Sequence, residues 1–185
     1  MKNPDHGQAV VAIILAILAV SIILAVGIFS PVLRESPTGG AAGKAPYSFA
    51  RLQLFLWTLV ILPIFSLHWG NCSCVTITET CLVLLGISSG TTVTAAIVTT
   101  AQLGAGKIAL KVNRQSVNFW TDILTDDHGN FSVVRLQQLV FTLVYIGIFI
   151  TEYFASNDYP KFDPTAYTLM GISAGSYVVG KGLNV

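Results

Sequence analysis

A seven-residue stretch occurs twice in this chain, as Leu85-Gly86-Ile87-Ser88-Ser89-Gly90-Thr91 and as Met170-Gly171-Ile172-Ser173-Ala174-Gly175-Ser176. Each copy lies in an apolar run and sets two glycines four residues apart, which on a helix places them on one face. A second pair lies upstream. Tyr47-Ser48-Phe49-Ala50-Arg51-Leu52-Gln53 matches Phe131-Ser132-Val133-Val134-Arg135-Leu136-Gln137. The offsets are 135 − 51 = 84 and 171 − 86 = 85, so the spacing between the two pieces differs by one residue. An internal duplication constrains the fold strongly, because each unit must bury its apolar face against its twin or a neighbour.

The solvent for that fold is a bilayer. Only 10% of the 185 residues are charged and 53% are hydrophobic, against about 25% charged in soluble domains. The formal net charge of +1 supplies no basic excess for phosphate backbones, which excludes nucleic acid as a partner. Ala9 to Leu33 is an apolar run of 25 residues. At roughly 1.5 Å per residue it exceeds the roughly 30 Å hydrocarbon core, and it is too long for the usual signal-peptide core. It is expected to be a retained span (1–33), followed by a Gly/Ser/Pro-rich flexible linker (34–46).

Two two-helix repeats are expected, at 47–101 and 131–185. In the first, Ser48 and Thr78 are candidate N-caps and Pro63 should kink or end the first helix. In the second, Ser132 is a candidate cap, and Asp163-Pro164 is an N-cap followed by proline at the first helical position. Between the repeats, 102–130 should leave the membrane. There Val117, Phe119, Trp120, Ile123 and Leu124 recur at helical spacing, which predicts an interfacial amphipathic helix with Trp120 at headgroup level and Gly129 beyond its end. The expected fold is therefore an all-α integral membrane protein of five spans: one N-terminal helix plus two parallel helical hairpins.

Counting Lys and Arg orients it. Arg34, Lys44, Arg51, Lys107, Lys111, Arg114, Arg135 and Lys181 fall on one side, and only Lys2 and Lys161 on the other. The first side is expected to be cytoplasmic. The N-terminus is then outside a plasma (inner) membrane and the C-terminus inside. Cys72, Cys74 and Cys81 lie at the outer side, where disulfides persist; Cys72 can reach Cys81, whereas Cys72 with Cys74 is sterically tight.

Chemistry-bearing groups are sparse. Asp122, Asp126, Asp127 and His128 lack a calcium-loop pattern, and no zinc spacing accompanies the cysteines. No nucleophile stands beside a base, and no predicted span carries an ionisable residue near its centre, so neither an enzyme nor a charge-relay transporter is expected, and no cofactor or metal. Gly86, Gly90, Gly171 and Gly175 match small-xxx-small packing, which predicts that the third and fifth spans meet through them. Ser88, Thr91, Thr92 and Ser176 could instead line a pore. Arg51 and Arg135 sit in first helical turns, where a cation opposes the helix dipole. They are expected to meet lipid headgroups, or to pair with Asp122, Asp126 or Asp127. The duplicated pattern is similar to a kind seen in bacterial membrane proteins, and no residue role follows from that. Two functions fit: an oligomeric structural or anchoring subunit whose partners are lipids, itself and other proteins, or a small homo-oligomeric ion channel lined by hydroxyls of the third and fifth spans.

Overall fold

The computed structural model describes residues 6–35, 45–72, 77–104, 116–126 and 129–183, and every regular element in it is helical. In chain order these are α1 (His6–Phe29), a 3-10 turn (Pro31–Leu33), α2 (Phe49–Cys72), α3 (Glu79–Gly104), α4 (Phe119–Leu124), α5 (Val133–Ser156) and α6 (Pro164–Leu183). Four of them, α1, α2, α3 and α5, are long and apolar enough to cross a membrane. The expected fifth span, α6, is not among these four. Its sequence mixes Thr, Ser, Gly and Tyr with its apolar residues, and several of the polar ones, Ser173, Tyr177 and Lys181, face inward.

Helix starts follow the side chains that cap them. The Asn118 side chain accepts from the Thr121 amide at 2.8 Å, that of Ser132 from Arg135 at 3.4 Å, and that of Asp163 from Thr165 at 2.8 Å. These satisfy amides that a helix leaves open at its first turn. Pro63 does not end its helix. It is buried inside α2, which continues nine residues further, to Cys72. A proline is tolerated within an apolar helix where neighbouring groups take over the freed carbonyl.

α1 runs antiparallel to α2, packed through small residues at both ends. A Cβ added to Gly27 would lie 2.6 Å from the Phe55 ring, and one added to Gly70 would overlap the Cβ of Ala12. Ala12 and Ala16 are the buried residues of α1, and most of its remaining Val, Ile and Leu side chains are exposed. The linker therefore does not hold α1 away from the other helices. The small-residue contacts of this seam are Gly70 with Ala12 and Gly27 with Phe55, and no spacing in the sequence marks them.

α2 and α5 run in one direction. At one end Gln53 bonds Gln138, and toward the other the rings of His68 and Tyr153 meet edge to face. α3 and α6 also run alongside each other, tied by a 2.6 Å bond between the hydroxyls of Thr80 and Tyr167. Two buried clusters result. One gathers Trp57, Ile61, Leu84, Phe149, Tyr153 and Met170 in the body of the bundle. The second gathers Phe49, Leu52, Ala95, Leu139 and Tyr177 at the end where α2 and α5 begin, and α4 plugs it with Ile123, which has no exposed surface. Burying such a side chain contributes about 1.5–3 kcal/mol, and it holds the short α4 in place.

Candidate functional site

A polar arrangement lies at the end of the bundle where α2 and α5 start, and it is built twice. Before α2 the chain passes through Leu33-Arg34-Glu35, and before α5 through Leu124-Thr125-Asp126. Ser48 N donates to the Leu33 carbonyl at 2.7 Å, and Ser132 N to the Leu124 carbonyl at 2.8 Å. Glu35 N donates to the Pro46 carbonyl at 2.9 Å, and Asp126 N to that of Asn130 at 2.7 Å. Isolated antiparallel bridges join Arg34 to Tyr47 and Thr125 to Phe131.

An arginine closes each clasp. Arg51 Nη1 donates to the Arg34 carbonyl at 2.7 Å, and Arg135 Nη1 donates to the Thr125 carbonyl. The cation that opposes the helix dipole thus has a local answer. It reaches back over the first turn to a carbonyl of the incoming segment, and a charged donor makes that bond stronger than a neutral one. The two arginines stand out in the sequence, but their acceptors do not. The only signal was Leu-x-acid upstream of each copy, too short to stand out.

The two clasps differ in their surroundings. The Arg135 guanidinium is buried and lies 5.5 Å from the centre of the Tyr177 ring, a cation–π distance. Beside it a cavity of about 270 Å³ is lined by Asp126, Ser132, Arg135, Ser176 and Lys181. Lys181, also buried, pairs with Glu35 at 3.1 Å and so ties the end of α6 to the first clasp. Around Arg51 the structure is apolar instead. A groove of about 420 Å³ runs between α1 and α2 from Arg51 toward Thr58. Arg34, next to it, stacks 4.3 Å from the Tyr47 ring and donates to its hydroxyl.

Asp122 is buried and works as a staple for α4. Its carboxylate accepts from the Ser116 hydroxyl at 2.6 Å, from Tyr47 N at 3.3 Å and from Val117 N at 3.4 Å. Trp120 is 65% exposed on the opposite side of α4. Gly129, at φ +89°, lies in the turn between Asp126 and Asn130, five residues after α4 ends. Asp127, His128, Lys107, Lys111 and Arg114 lie outside the described residues.

Inside the bundle the glycines are not where packing was expected. Each of Gly86, Gly90, Gly171 and Gly175 has nothing within 4 Å of an added Cβ. α3 and α6 do pack together, but by the other face: Leu84, Ser88, Thr91 and Ala95 are buried on α3, and Met170, Ser173, Ala174 and Tyr177 on α6. The reason is volume. These larger side chains fill the seam and turn the glycines outward. The candidate pore hydroxyls are engaged by main-chain carbonyls. Ser88 donates to the Leu84 carbonyl, Thr91 to Ile87, Thr92 to Ser88 and Ala50, and Ser176 to Ile172. Of the four, only Ser176 is exposed.

At the opposite end, His68, Tyr153 and Tyr159 cluster at tilted and edge-on angles, with His68 and Tyr159 ring centres 4.3 Å apart. Burial pushes the Tyr159 phenol up, helped by the neighbouring Cys81 and Tyr153. Cys72 is disulfide-bonded, whereas Cys81 is a free, buried thiol that accepts from the Thr78 hydroxyl at 3.4 Å. The Cys72–Cys81 pairing is therefore set aside, because α3 folds Cys81 into the core beside Leu84. Cys74 lies outside the described residues. Among the described residues no group of three His, Cys, Asp or Glu could hold a metal. No family model matches the chain, and no curated protein or solved structure resembles it significantly.

Proposed function

We propose that this chain is a structural subunit of a membrane assembly, one that associates with further copies of itself through the outward glycine face of α3 and α6. The observation that carries this reading is the open space at Gly86, Gly90, Gly171 and Gly175. Bare backbone on a lipid-facing helix allows close approach of another helix, and packing and hydrogen bonding, not hydrophobicity, drive association in lipid. Exposed Leu82, Val93, Ile172 and Val179 flank it.

The reading includes five spans with α6 as the fifth, its polar Ser173, Tyr177 and Lys181 turned inward and its glycine face turned outward. It includes a duplicated unit, since buried positions of α2 and α5 recur 85 apart, Gln53 with Gln138, Trp57 with Thr142, Ile64 with Phe149 and His68 with Tyr153, one residue more than the 84 that separates Arg51 from Arg135. The clasp end is the cytoplasmic one in a plasma membrane, as its concentration of Arg and Lys favours. The chain is not an enzyme in this account. A channel is the second reading; in it the exposed Ser176 and its neighbours would face a lumen shared between copies.

The test is Gly90→Leu with Gly175→Leu, analysed by native mass spectrometry and by conductance in liposomes. The subunit reading expects assembly to fall to monomer, with the single-chain fold kept because the added side chains meet open space. An unchanged copy number overturns it, and a steady unitary current from the wild type favours the channel.

A further inference from the structure

We infer that the groove between α1 and α2 is a binding site for one anionic phospholipid, with its headgroup at Arg51 and an acyl chain along the groove floor. The lining names the chemistry. Ile22, Ile23 and Val26 of α1 face Leu54 and Phe55 of α2, and Arg51 stands at the end beside the clasp. Apart from that cation, the polar lining consists of Thr58 and Thr92, whose hydroxyls donate to the Leu54 carbonyl and to those of Ser88 and Ala50. Among the described residues none of the groove's lining is acidic, and Arg51 itself donates to main-chain carbonyls there, those of Arg34 and Val32. An apolar trough with a cation at its mouth is complementary to a chain that ends in a phosphate.

The second half of the molecule supplies the contrast. There the matching arginine, Arg135, is roofed by Tyr177, and the adjoining cavity carries the Asp126 carboxylate. The residue 85 positions before Tyr177 is Thr92 (177 − 85 = 92). The small Thr92 leaves open beside Arg51 the room that a tyrosine ring occupies beside Arg135. α1, which has no counterpart before α5 among the described residues, provides the far wall. The site is thus a product of both differences between the halves. It rests on the membrane embedding of the chain and not on self-association.

The full-length protein in detergent, titrated with phosphatidylglycerol or with phosphatidylcholine, tests this by native mass spectrometry, which counts copies and bound lipids separately. Wild type should retain one phosphatidylglycerol per chain. Arg51→Gln should retain about fivefold less, the factor that one cation facing an anionic lipid supplies. Val26→Trp fills the groove from α1 without touching the clasp, and it should lose the lipid equally while keeping the wild-type copy number. Equal retention of phosphatidylcholine, full retention by Val26→Trp, or displacement of the lipid by inorganic phosphate alone would each overturn the site.

Discussion

Gln138 Nε2 donates to Gln53 Oε1 across 2.7 Å, joining α5 to α2 inside the bundle at positions both almost fully buried. The bond sits one turn inside the clasp end, below Arg135 and above Thr142 on α5. Interhelical bonds of this kind measure about 0.6 kcal/mol on average in a membrane protein, with a maximum near 1.7.

That small net value hides a larger cost for half a pair. Gln138→Leu leaves the Gln53 amide buried without its donor, which costs about 1–3 kcal/mol. Gln53→Leu with Gln138→Leu removes both polar groups and should cost less than the sum of the single changes. Unfolding of the four proteins in mixed micelles gives the coupling directly. Additive losses would show that the pair does not act as one unit.

The α1–α2 seam predicts a separable phenotype. Gly70→Leu must displace α1, because even its Cβ would overlap Ala12. With a protease site placed within 36–44, the cleaved wild-type α1 fragment should co-purify with the remainder, and the Gly70→Leu fragment should be released. Retention of both fragments would mean that contacts other than the Gly70–Ala12 approach hold α1.

Arg135→Met removes the donor to the Thr125 carbonyl and the cation over Tyr177. A stability loss of about 1–3 kcal/mol is expected from the stranded buried carbonyl. Hydrogen exchange should accelerate at Ile123 and Thr125 in and beside α4, with the middle of α3 unchanged. Acceleration spread evenly over the bundle would contradict a local clasp.

Asp163 gives a pH dependence whose sign is fixed. Bonds from the Thr165 side chain and amide hold its carboxyl below the ordinary range. A depressed carboxyl contributes stability above its unfolded value, about pH 4, and that contribution is lost as pH falls through the folded value. Thermal stability of the wild type should therefore decline below about pH 4. Asp163→Asn keeps a capping oxygen but should remove this part of the decline. The same slope in both proteins would assign the acid sensitivity elsewhere.

Much of this architecture is legible in the residues, and the failures share a cause. Helix positions follow from apolar runs and from Asp163-Pro164 and Ser132, because lipid leaves the backbone few options besides helix. α4 and the outward Trp120 follow from spacing alone. Glycine spacing says which face is bare, but not whether the bare face looks inward; the bulk of Leu84, Met170 and Tyr177 on the other face decided that for α3 and α6. The Ala12 and Ala16 seam was hidden because an all-apolar helix shows no contrast between its faces. The clasp acceptors were invisible because they are main-chain carbonyls, which any sequence carries.

The clasps also set an order of assembly. Arg51 reaches back 17 residues and Arg135 only 10, whereas Gln53 waits for a partner 85 residues on and Glu35 for one 146 on. Short loops close at lower entropic cost than long ones. The N-terminal half can therefore lock its own entry while the C-terminal half is still on the ribosome, and the Glu35–Lys181 pair, drawn from opposite ends of the chain, is available only once translation has passed residue 181.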